Sequence, residues 1–282
     1  MRRRLDLEMV HRGLAGTRSE AALAIRSGKV LVSGRPAMKA STMVLSDEPI
    51  TVVAAARKYV SRGGDKLEAA LDRFGINVND LRTLDAGAST GGFTDCLLSR
   101  DAVHVVAVDV GYGQLDWRLR EDPRVSVLER TNVRDLEPSM LPYAPELIVA
   151  DLSFISLRLA VPALIRCAAE GARFVLLVKP QFEAGKEEVG QGGVVRDPRV
   201  WRRALESVIE VCRGHELEVD GVIASPLLGP AGNVEFLVNA RRTGEQRPAG
   251  GGEPDLEPAL NEALELASES TRGRGRTEAR RG

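Results

Sequence analysis

The sequence predicts an α/β protein with a mostly parallel sheet, preceded by a small α+β module. From about residue 60, short continuous runs of Val, Ile and Leu alternate with segments of helical periodicity, which is typical of a sheet covered by helices on both faces. The chain has 282 residues, of which 43% are hydrophobic, so it can bury a large core. The first part of the chain has shorter elements and a different charge balance, which indicates a separate module.

Residues 1–53 are expected to form the N-terminal module, with two short helices followed by a small sheet. Residues 17–20, Thr-Arg-Ser-Glu, form a capping box, the arrangement that begins a helix. Residues 30–32 and 50–53 are β-branched or apolar runs that predict strands. Residues 54–60 are then interpreted as a linker to the second domain.

The second domain is assigned to residues 61–242. Its strand-like runs are residues 81–85, 104–109, 125–128, 147–151, 174–178, 219–224 and 234–238. The connection between the last two is short and contains proline and glycine, so this pair is expected to be antiparallel. Residues 243–282 are expected to hold one helix, at 255–268, and a largely disordered basic tail.

The charge of the chain is unevenly distributed. The net charge is −1, yet the first sixty residues contain eleven Lys and Arg against five Asp and Glu. A basic module before a more acidic body indicates a polyanionic partner, although a solvated basic face is the plainer interpretation. Arg4, Arg18, Lys29 and Arg62 are the candidate contacts to the phosphates of such a partner.

The cysteines and the apolar runs exclude several classes of protein. Cys96, Cys167 and Cys212 are odd in number and widely spaced, so they predict neither a disulfide framework nor a Cys-x-x-Cys metal pair. No stretch approaches the roughly 18 apolar residues that a membrane span requires. A cytoplasmic protein without a metal site and without a membrane partner is therefore expected.

A glycine-rich turn, Asp-Ala-Gly-Ala-Ser-Thr-Gly-Gly-Phe-Thr at residues 85–94, lies between a predicted strand and a predicted helix. Glycine lets the backbone turn tightly and approach a ligand closely. The turn matches neither the dinucleotide nor the nucleoside-triphosphate motif. The carboxylate of Asp85 favours a cationic ligand such as the amino-acid part of S-adenosylmethionine over a pyrophosphate. The candidate cofactor contacts in the turn are Asp85, Gly87, Ser89, Thr90, Gly91, Gly92 and Phe93.

Three polar residues after later strands extend this candidate site. Asp109 ends the next strand, at about the interval where an acid binds a ribose diol. Asn132 follows the third strand and is a candidate for hydrogen bonds with an adenine edge, and Asp151 follows the fourth. Alone, each is as readily a cap or a loop residue, but their order along the chain indicates a cofactor site.

Four charged residues at loop–strand junctions are the candidate catalytic groups: Lys66, Asp151, Lys179 and Glu235. A ribose hydroxyl is a poor nucleophile until a base removes its proton. Lys179 is the candidate base, and Lys66 is a like-charged neighbour that would favour the neutral amine. Asp151 and Glu235 would orient the lysines and the hydroxyl. For each residue alone, a surface ion pair is the plainer interpretation.

Two absent motifs favour oxygen as the methyl acceptor. Residues 151–154, Asp-Leu-Ser-Phe, differ from the Asn/Asp-Pro-Pro-Tyr type used on exocyclic amines. No cysteine lies at a strand end, where it could attack a pyrimidine ring.

Seven stretches together resemble one family, the TlyA-type ribosomal RNA 2′-O-methyltransferases, whose catalytic domain is of the FtsJ/RrmJ-like group. They are residues 4–6 (Arg-Leu-Asp), 59–67 (Tyr-Val-Ser-Arg-Gly-Gly-Asp-Lys-Leu), 85–94, 109–115 (Asp-Val-Gly-Tyr-Gly-Gln-Leu), 150–156 (Ala-Asp-Leu-Ser-Phe-Ile-Ser), 178–183 (Val-Lys-Pro-Gln-Phe-Glu) and 232–235 (Gly-Asn-Val-Glu). The family's Lys-Asp-Lys-Glu tetrad falls on Lys66, Asp151, Lys179 and Glu235.

The resemblance implies a Rossmann-like S-adenosylmethionine-dependent methyltransferase sheet and an N-terminal RNA-binding domain of the S-four type. It also implies methylation of a cytidine ribose in the RNA of the small or large ribosomal subunit, or of both, with ribosomal subunits as the partner. Members of this family have also been called haemolysins.

Three other functions are compatible with parts of the sequence. A non-catalytic ribosome-binding or assembly factor could use the same basic module, and a membrane-active haemolysin would need an amphipathic or spanning segment that the sequence does not show. A pseudouridine synthase can carry this N-terminal module, but its catalytic Arg-Leu-Asp lies in the second domain. Aromatic residues make up only 4% of the chain, and Phe154 and Phe182 are expected in the core rather than against a flipped nucleotide.

Overall fold

The structure is a computed structural model that describes residues 2–52, 58–244 and 254–278. It divides into two compact units. One comprises the residues before Lys58 together with those from Gly273 onward, and the other runs from Lys58 to Arg272. Residues 53–57, which include most of the predicted linker, lie outside the described residues.

The N-terminal unit is an α+β module of short elements. They are β1 (Arg2–Arg4), α1 (Leu5–His11), α2 (Arg18–Arg26), β2 (Val30–Val32), β3 (Arg35–Pro36), β4 (Met43–Leu45) and β5 (Ile50–Val52). Strand β1 pairs with β4, and β2 lies between β3 and β5, all antiparallel. Leu5, Met9, Ile25, Val30 and Val44 form its buried core.

The predicted capping box is confirmed, and it explains where α2 begins. The Thr17 hydroxyl accepts a hydrogen bond from the backbone N–H of Glu20 (3.1 Å), and the Glu20 carboxylate accepts one from the backbone N–H of Thr17 (3.2 Å). Since Thr17 is the N-cap, the helix begins at Arg18.

The second unit contains the large sheet and its covering helices. In chain order they are α3 (Arg62–Phe74), β6 (Arg82–Ala86), α4 (Gly92–Ser99), β7 (His104–Val108), α5 (Trp117–Arg120), β8 (Val125–Leu128), β9 (Leu147–Ala150), α6 (Leu157–Cys167), β10 (Arg173–Val178), α7 (Pro180–Glu183), α8 (Pro198–Gly214), β11 (Leu217–Ala224), β12 (Phe236–Arg242) and, as far as Arg272, α9 (Glu257–Glu278). One-turn 3-10 helices lie at Val133–Asp135, Pro138–Met140, Lys186–Glu188 and Gln191–Gly193.

The seven strands β6 to β12 form one sheet in the order β11-β12-β10-β9-β6-β7-β8. Strands β6 to β10 run parallel to one another. Strand β12 runs antiparallel to β10, and β11 runs antiparallel to β12. The predicted α/β class, with a mostly parallel sheet and an antiparallel closing pair, is confirmed.

Helices cover both faces of this sheet, as the continuous apolar strands predict. Alternate residues of β10 belong to opposite cores, with Val175 on the side of α3 and α4 and Leu176 on the side of α6 and α8. The chain therefore buries both faces of the central strands.

Helix α9 differs from the prediction at both ends. It begins at Glu257 and continues to Glu278, so residues 272–278, expected to be disordered, are helical. Leu256, Ala259, Leu260 and Ala263 are buried in the core on the α6 and α8 side. Among the described residues, no helix has the length and apolar character needed to cross a membrane.

Candidate active site

The candidate site lies where the parallel strands end. A cavity of about 740 Å³ opens between the loops that follow β6, β7, β8 and β9. Five of the predicted cofactor residues line it, namely Gly87, Ser89, Asp109, Asn132 and Asp151. Carboxyl ends of parallel strands share one edge of a sheet, which is why residues far apart in the chain meet here.

The glycine-rich turn is packed too closely for side chains. Gly87 has φ +84°, and a Cβ there would lie 2.5 Å from the carbonyl oxygen of Asp151. Gly91 has φ +97°, and a Cβ would collide with Leu119, while a Cβ on Gly92 would collide with the hydroxyl of Ser61. These glycines therefore allow the turn to lie against β9 and the beginning of α3.

The remaining turn residues lie outside the lining of this cavity. Phe93 is 3% exposed and packs in the core on the side of α3 and α4. Thr90 is exposed, and its carbonyl oxygen accepts a hydrogen bond from the backbone N–H of Asp116 (3.2 Å). Gly91 and Gly92 are buried. Direct cofactor contact by these four residues stays a prediction.

Asp85 is buried below the turn rather than facing the cavity. One of its carboxylate oxygens accepts a hydrogen bond from the Thr94 hydroxyl at 2.6 Å, and the other has no hydrogen-bond partner among the described residues. Burial, with a smaller contribution from the Asp151 and Asp109 carboxylates, raises the pKa of Asp85 to about 7. Asp85 therefore anchors α4 to β6 through Thr94.

Asp109 is held in a fixed orientation at the cavity wall. Its two carboxylate oxygens accept hydrogen bonds from the backbone N–H groups of Ser89 (2.8 Å) and Gly111 (2.6 Å). Each carboxylate oxygen can accept a further hydrogen bond, so Asp109 could bind both hydroxyls of a diol. Asn132 uses its carbonyl oxygen to accept from the backbone N–H of Arg134 (3.1 Å), which begins the turn at Val133–Asp135.

The four candidate catalytic residues form two ion pairs. The Lys179 amine lies 2.6 Å from an Asp151 carboxylate oxygen and donates a hydrogen bond to the Ser153 hydroxyl at 2.8 Å. The Lys66 amine lies 2.5 Å from a Glu235 carboxylate oxygen. Lys66, Lys179 and Glu235 are at most 9% exposed, so both pairs are largely withdrawn from solvent.

The sheet register brings the two pairs to adjacent strand ends. Val178 pairs with Phe236 across β10 and β12, so Lys179 and Glu235 are the next residues beyond that pair. Leu176 pairs with Ala150 across β10 and β9, so Asp151 follows β9 at the level of Leu177, where the side chain of Lys179 reaches it. Lys66 reaches the same edge from the first half of α3.

Phe154 was expected in the core, and this expectation is wrong. Its side chain is 91% exposed at the cavity, and its backbone has φ +64°, which is unusual for a residue with a side chain. The Phe154 and Phe182 ring centroids are 5.2 Å apart, and the Lys179 amine is 5.8 Å from the Phe182 centroid. An available signal was the position of Phe154 in a loop, between the polar residues Ser153 and Ser156.

The predicted RNA contacts divide between the two units. In the N-terminal unit, Arg4 makes two 3.0 Å hydrogen bonds with the carboxylate of Asp6, and Arg18 makes a third at 3.3 Å. The hydrogen bonds from Arg4 lower the pKa of Asp6 below its ordinary value. Lys29 is exposed in the same unit, and Arg62 is exposed at the beginning of α3 in the second unit. The structure therefore brings Arg4 and Arg18 together through Asp6.

The sheet order, the glycine-rich turn and the acid after β7 define a Rossmann-like methyltransferase, and comparisons with known families give the same class. Residues 59–242 match the FtsJ-like methyltransferase family, and residues 3–50 match the S4 domain. The chain belongs to the FtsJ-like methyltransferases, within their TlyA-type group.

Individual relatives agree over most of the chain. A Mycobacterium tuberculosis protein named 16S/23S rRNA (cytidine-2′-O)-methyltransferase TlyA is 51% identical over 93% of this chain and 97% of its own length. Hemolysin A of Brachyspira hyodysenteriae is 41% identical over 84% of this chain and 98% of its own. A solved structure of a hemolysin-type protein from Streptococcus thermophilus is 36% identical, covers 98% of both chains and has a TM-score of 0.70.

Proposed function

We propose that this chain transfers a methyl group from S-adenosylmethionine to the 2′-hydroxyl of a cytidine ribose in ribosomal RNA. The observation that carries the proposal is the Lys179–Asp151 ion pair (2.6 Å), because Asp151 also lines the cavity to which Asp109 belongs. The proposed base, Lys179, is therefore ion-paired to a residue that lines the cavity.

The residues of the cavity fit S-adenosylmethionine. Asp109 offers a fixed carboxylate to the ribose hydroxyls, and Asn132 offers an amide donor to the adenine. Apolar side chains that include Leu152, Ile155 and Leu159 line the same cavity and suit the faces of the purine. When bound, S-adenosylmethionine supplies a methyl carbon attached to a positively charged sulfur.

Lys179 is proposed to act as a neutral amine, after its own proton has passed to solvent. It then accepts the proton of the 2′-hydroxyl, so that the oxygen can bond to the methyl carbon as the sulfur–carbon bond breaks. The nearby Asp151 carboxylate stabilises the ammonium that this transfer forms on Lys179. Glu235, fixed by Lys66, lies opposite Lys179 across the strand ends and is proposed to orient the hydroxyl. Positioning supplies the rest, since reaction requires the oxygen and carbon in line.

Phe154 is proposed to support the target base. An aromatic ring that is 91% exposed at the mouth of the cavity offers a face to a base turned out of its stack. Phe182 supports that ring from behind, with the two centroids 5.2 Å apart. The exposed ring of Phe154 and the nearby Lys179, the proposed general base, together favour a nucleotide over a small-molecule substrate.

Ribosomal RNA is proposed as the partner because of the N-terminal unit. Its match to the S4 domain and the paired arginines Arg4 and Arg18 support RNA binding. The name of the M. tuberculosis relative supports cytidine as the target, and we propose the RNAs of both ribosomal subunits as substrates. Ribosomal subunits as substrates imply a cytoplasmic enzyme.

Tritiated methyl incorporation into purified 30S and 50S subunits from a strain that lacks this activity tests the proposal. We expect incorporation with the native chain and a loss of about a thousandfold for Lys179→Ala, with affinity for S-adenosylhomocysteine kept within about threefold. Asp109→Ala should instead lower that affinity by about tenfold or more. Lys186→Ala is the matched control, since Lys186 is an exposed lysine seven positions further along the chain.

Two outcomes would contradict the proposal. The first is ribosomal RNA that gains no label from the native chain in either subunit. The second is label that alkaline hydrolysis releases in a mononucleotide, because a 2′-O-methyl group blocks cleavage of the following phosphodiester and leaves a dinucleotide.

A further inference from the structure

Glu183 is a buried acid to which the proposed reaction assigns no role. The residue ends α7, and its side chain is 1% exposed. One carboxylate oxygen accepts a hydrogen bond from the Ser156 hydroxyl at 2.5 Å, and the other accepts one from the backbone N–H of Leu157 at 2.7 Å. The Arg158 guanidinium lies 3.5 Å away. Glu183 therefore bonds to the residues at which α6 begins.

These contacts join two segments that both carry site residues. The first is the 151–157 loop, which follows β9, and the second is the 179–183 turn, which follows β10. Lys179 contacts Asp151 and Ser153 at one end of this junction, and Phe182 contacts Phe154 in the middle. At the other end, Glu183 accepts hydrogen bonds from Ser156 and Leu157.

The 151–157 loop has a conformation that its own sequence does not favour. Phe154 has φ +64°, which residues with a side chain rarely adopt unless surrounding contacts hold them. Its ring is 91% exposed, so packing against the core does not hold it. The hydrogen bonds to Glu183 fix the chain two and three residues further on, where Ser156 also caps α6.

We propose that Glu183 is a positioning residue, which holds the 151–157 loop against the 179–183 turn so that Lys179 and Phe154 keep their places relative to each other. The inference rests on the proposed function for its effect on the reaction, and on the hydrogen bonds alone for its effect on the loop. Glu183 does not face the cavity, so it acts through the loop rather than on the substrate.

The charge of Glu183 is not what this role requires. Burial raises the pKa of Glu183, against the hydrogen bonds from Ser156 and Leu157, which lower it. Glutamine has nearly the same shape, and its oxygen could accept from Leu157. Its nitrogen could donate to the Ser156 hydroxyl if the Arg158 side chain, which now donates to that hydroxyl, turns away. A positioning role therefore predicts that glutamine replaces Glu183 well and alanine does not.

The experiment compares Glu183→Ala, Glu183→Gln and the control Glu206→Ala, in which the altered acid is an exposed residue of α8. Methylation of ribosomal subunits gives kcat and KM, calorimetry gives the affinity for S-adenosylhomocysteine, and hydrogen exchange reports the backbone amides of the 151–157 loop. We expect kcat to fall about tenfold to a hundredfold for Glu183→Ala, with cofactor affinity within about threefold. The loop amides should exchange faster in that variant, and Glu183→Gln and Glu206→Ala should resemble the native chain.

The proposal is overturned if Glu183→Ala keeps its native kcat, or if its loop exchanges as slowly as the native loop. It is also overturned if glutamine impairs kcat as much as alanine does. Should Glu183→Ala fail to fold, Ser156→Ala removes one of the two hydrogen bonds and is expected to lower kcat about threefold. If the native chain does not methylate ribosomal RNA, the proposed function fails, and the exchange measurement still decides whether Glu183 holds the loop.

Discussion

Lys179 and Glu235 lie opposite each other at one edge of the sheet, each one residue beyond the Val178–Phe236 pair that joins β10 to β12. Each forms an ion pair with a different partner, Lys179 with Asp151 and Glu235 with Lys66. The antiparallel strand β12 is what makes this possible, because it brings the residue before a strand to the edge where the parallel strands end.

The buried Lys66–Glu235 pair leads to a prediction about stability. Glu235→Ala leaves the Lys66 ammonium buried without its partner, so the free energy of unfolding should fall by about 3 to 5 kcal/mol. The double variant Lys66→Met with Glu235→Leu should recover most of this loss, since it removes both charges. Urea unfolding measures both values. Glu262→Ala, which breaks the exposed pair with Arg73, should cost at most about 1 kcal/mol, and an equal loss in this control would contradict the argument.

The exposed ring of Phe154 leads to a prediction about the RNA substrate. Phe154→Ala should weaken productive RNA binding by about 1 to 3 kcal/mol, the range for a base stacked on an aromatic ring, and so raise KM about fivefold to a hundredfold. Phe154→Tyr should keep most of the affinity. Cofactor affinity and the free energy of unfolding should change little, because the ring is outside the core. A native KM for the alanine variant would rule out the stacking role.

The raised pKa of Asp85 leads to a prediction about pH. Its folded-state pKa of about 7 is above the ordinary value of an aspartate, so the folded chain binds this proton more tightly than the unfolded chain. The stability from this group is therefore complete below about pH 4 and is lost as the pH rises to about 7. Relative to Asp85→Asn, the native chain should lose up to about 4 kcal/mol of unfolding free energy across that interval.

Urea unfolding of the native chain and Asp85→Asn, from pH 4.5 to pH 8, checks this difference. Comparison of the two chains cancels the other carboxylates, which titrate in both. Parallel pH profiles for the two chains would mean that Asp85 is ionised in the fold throughout this range.

The arginine pair around Asp6 leads to a prediction about RNA affinity. Arg4→Ala with Arg18→Ala should weaken binding to ribosomal RNA and reduce the salt dependence of log K by about one to two units of slope. Filter binding at several salt concentrations measures both effects. Arg199→Ala, an exposed arginine of α8 paired with Asp197, should leave the slope unchanged. A native slope in the double variant would remove Arg4 and Arg18 from the RNA contacts.

Much of this arrangement could be predicted from sequence because it depends on periodicity and strand ends. Continuous apolar runs predicted the parallel sheet, and polar residues directly after those runs identified Asp109, Asp151 and Lys179. Strands β3 and β4 escaped prediction because segments of two or three residues are too short to show alternation. These short strands are positioned by pairing with distant segments rather than by local pattern.

The side-chain roles were less accessible for the same physical reason. Asp85 is the type of residue expected to contact a ligand. Its complete burial and its hydrogen bond from the Thr94 hydroxyl, however, depend on how α4 packs against β6. Phe154 is apolar and was expected in the core, but a backbone with φ +64° turns its ring outward. Glu183 has no local signal, because its partners lie 26 and 27 positions away.

The late position of β12 has a consequence for synthesis of the chain. The parallel strands and three of the four paired side chains precede residue 180, whereas Glu235 and the strand that carries its register come more than fifty residues later. A growing chain can therefore bury Lys66 against its counter-ion only after Glu235 has been added. Until then the sheet has an open edge at β10, and the set of four paired charges is incomplete.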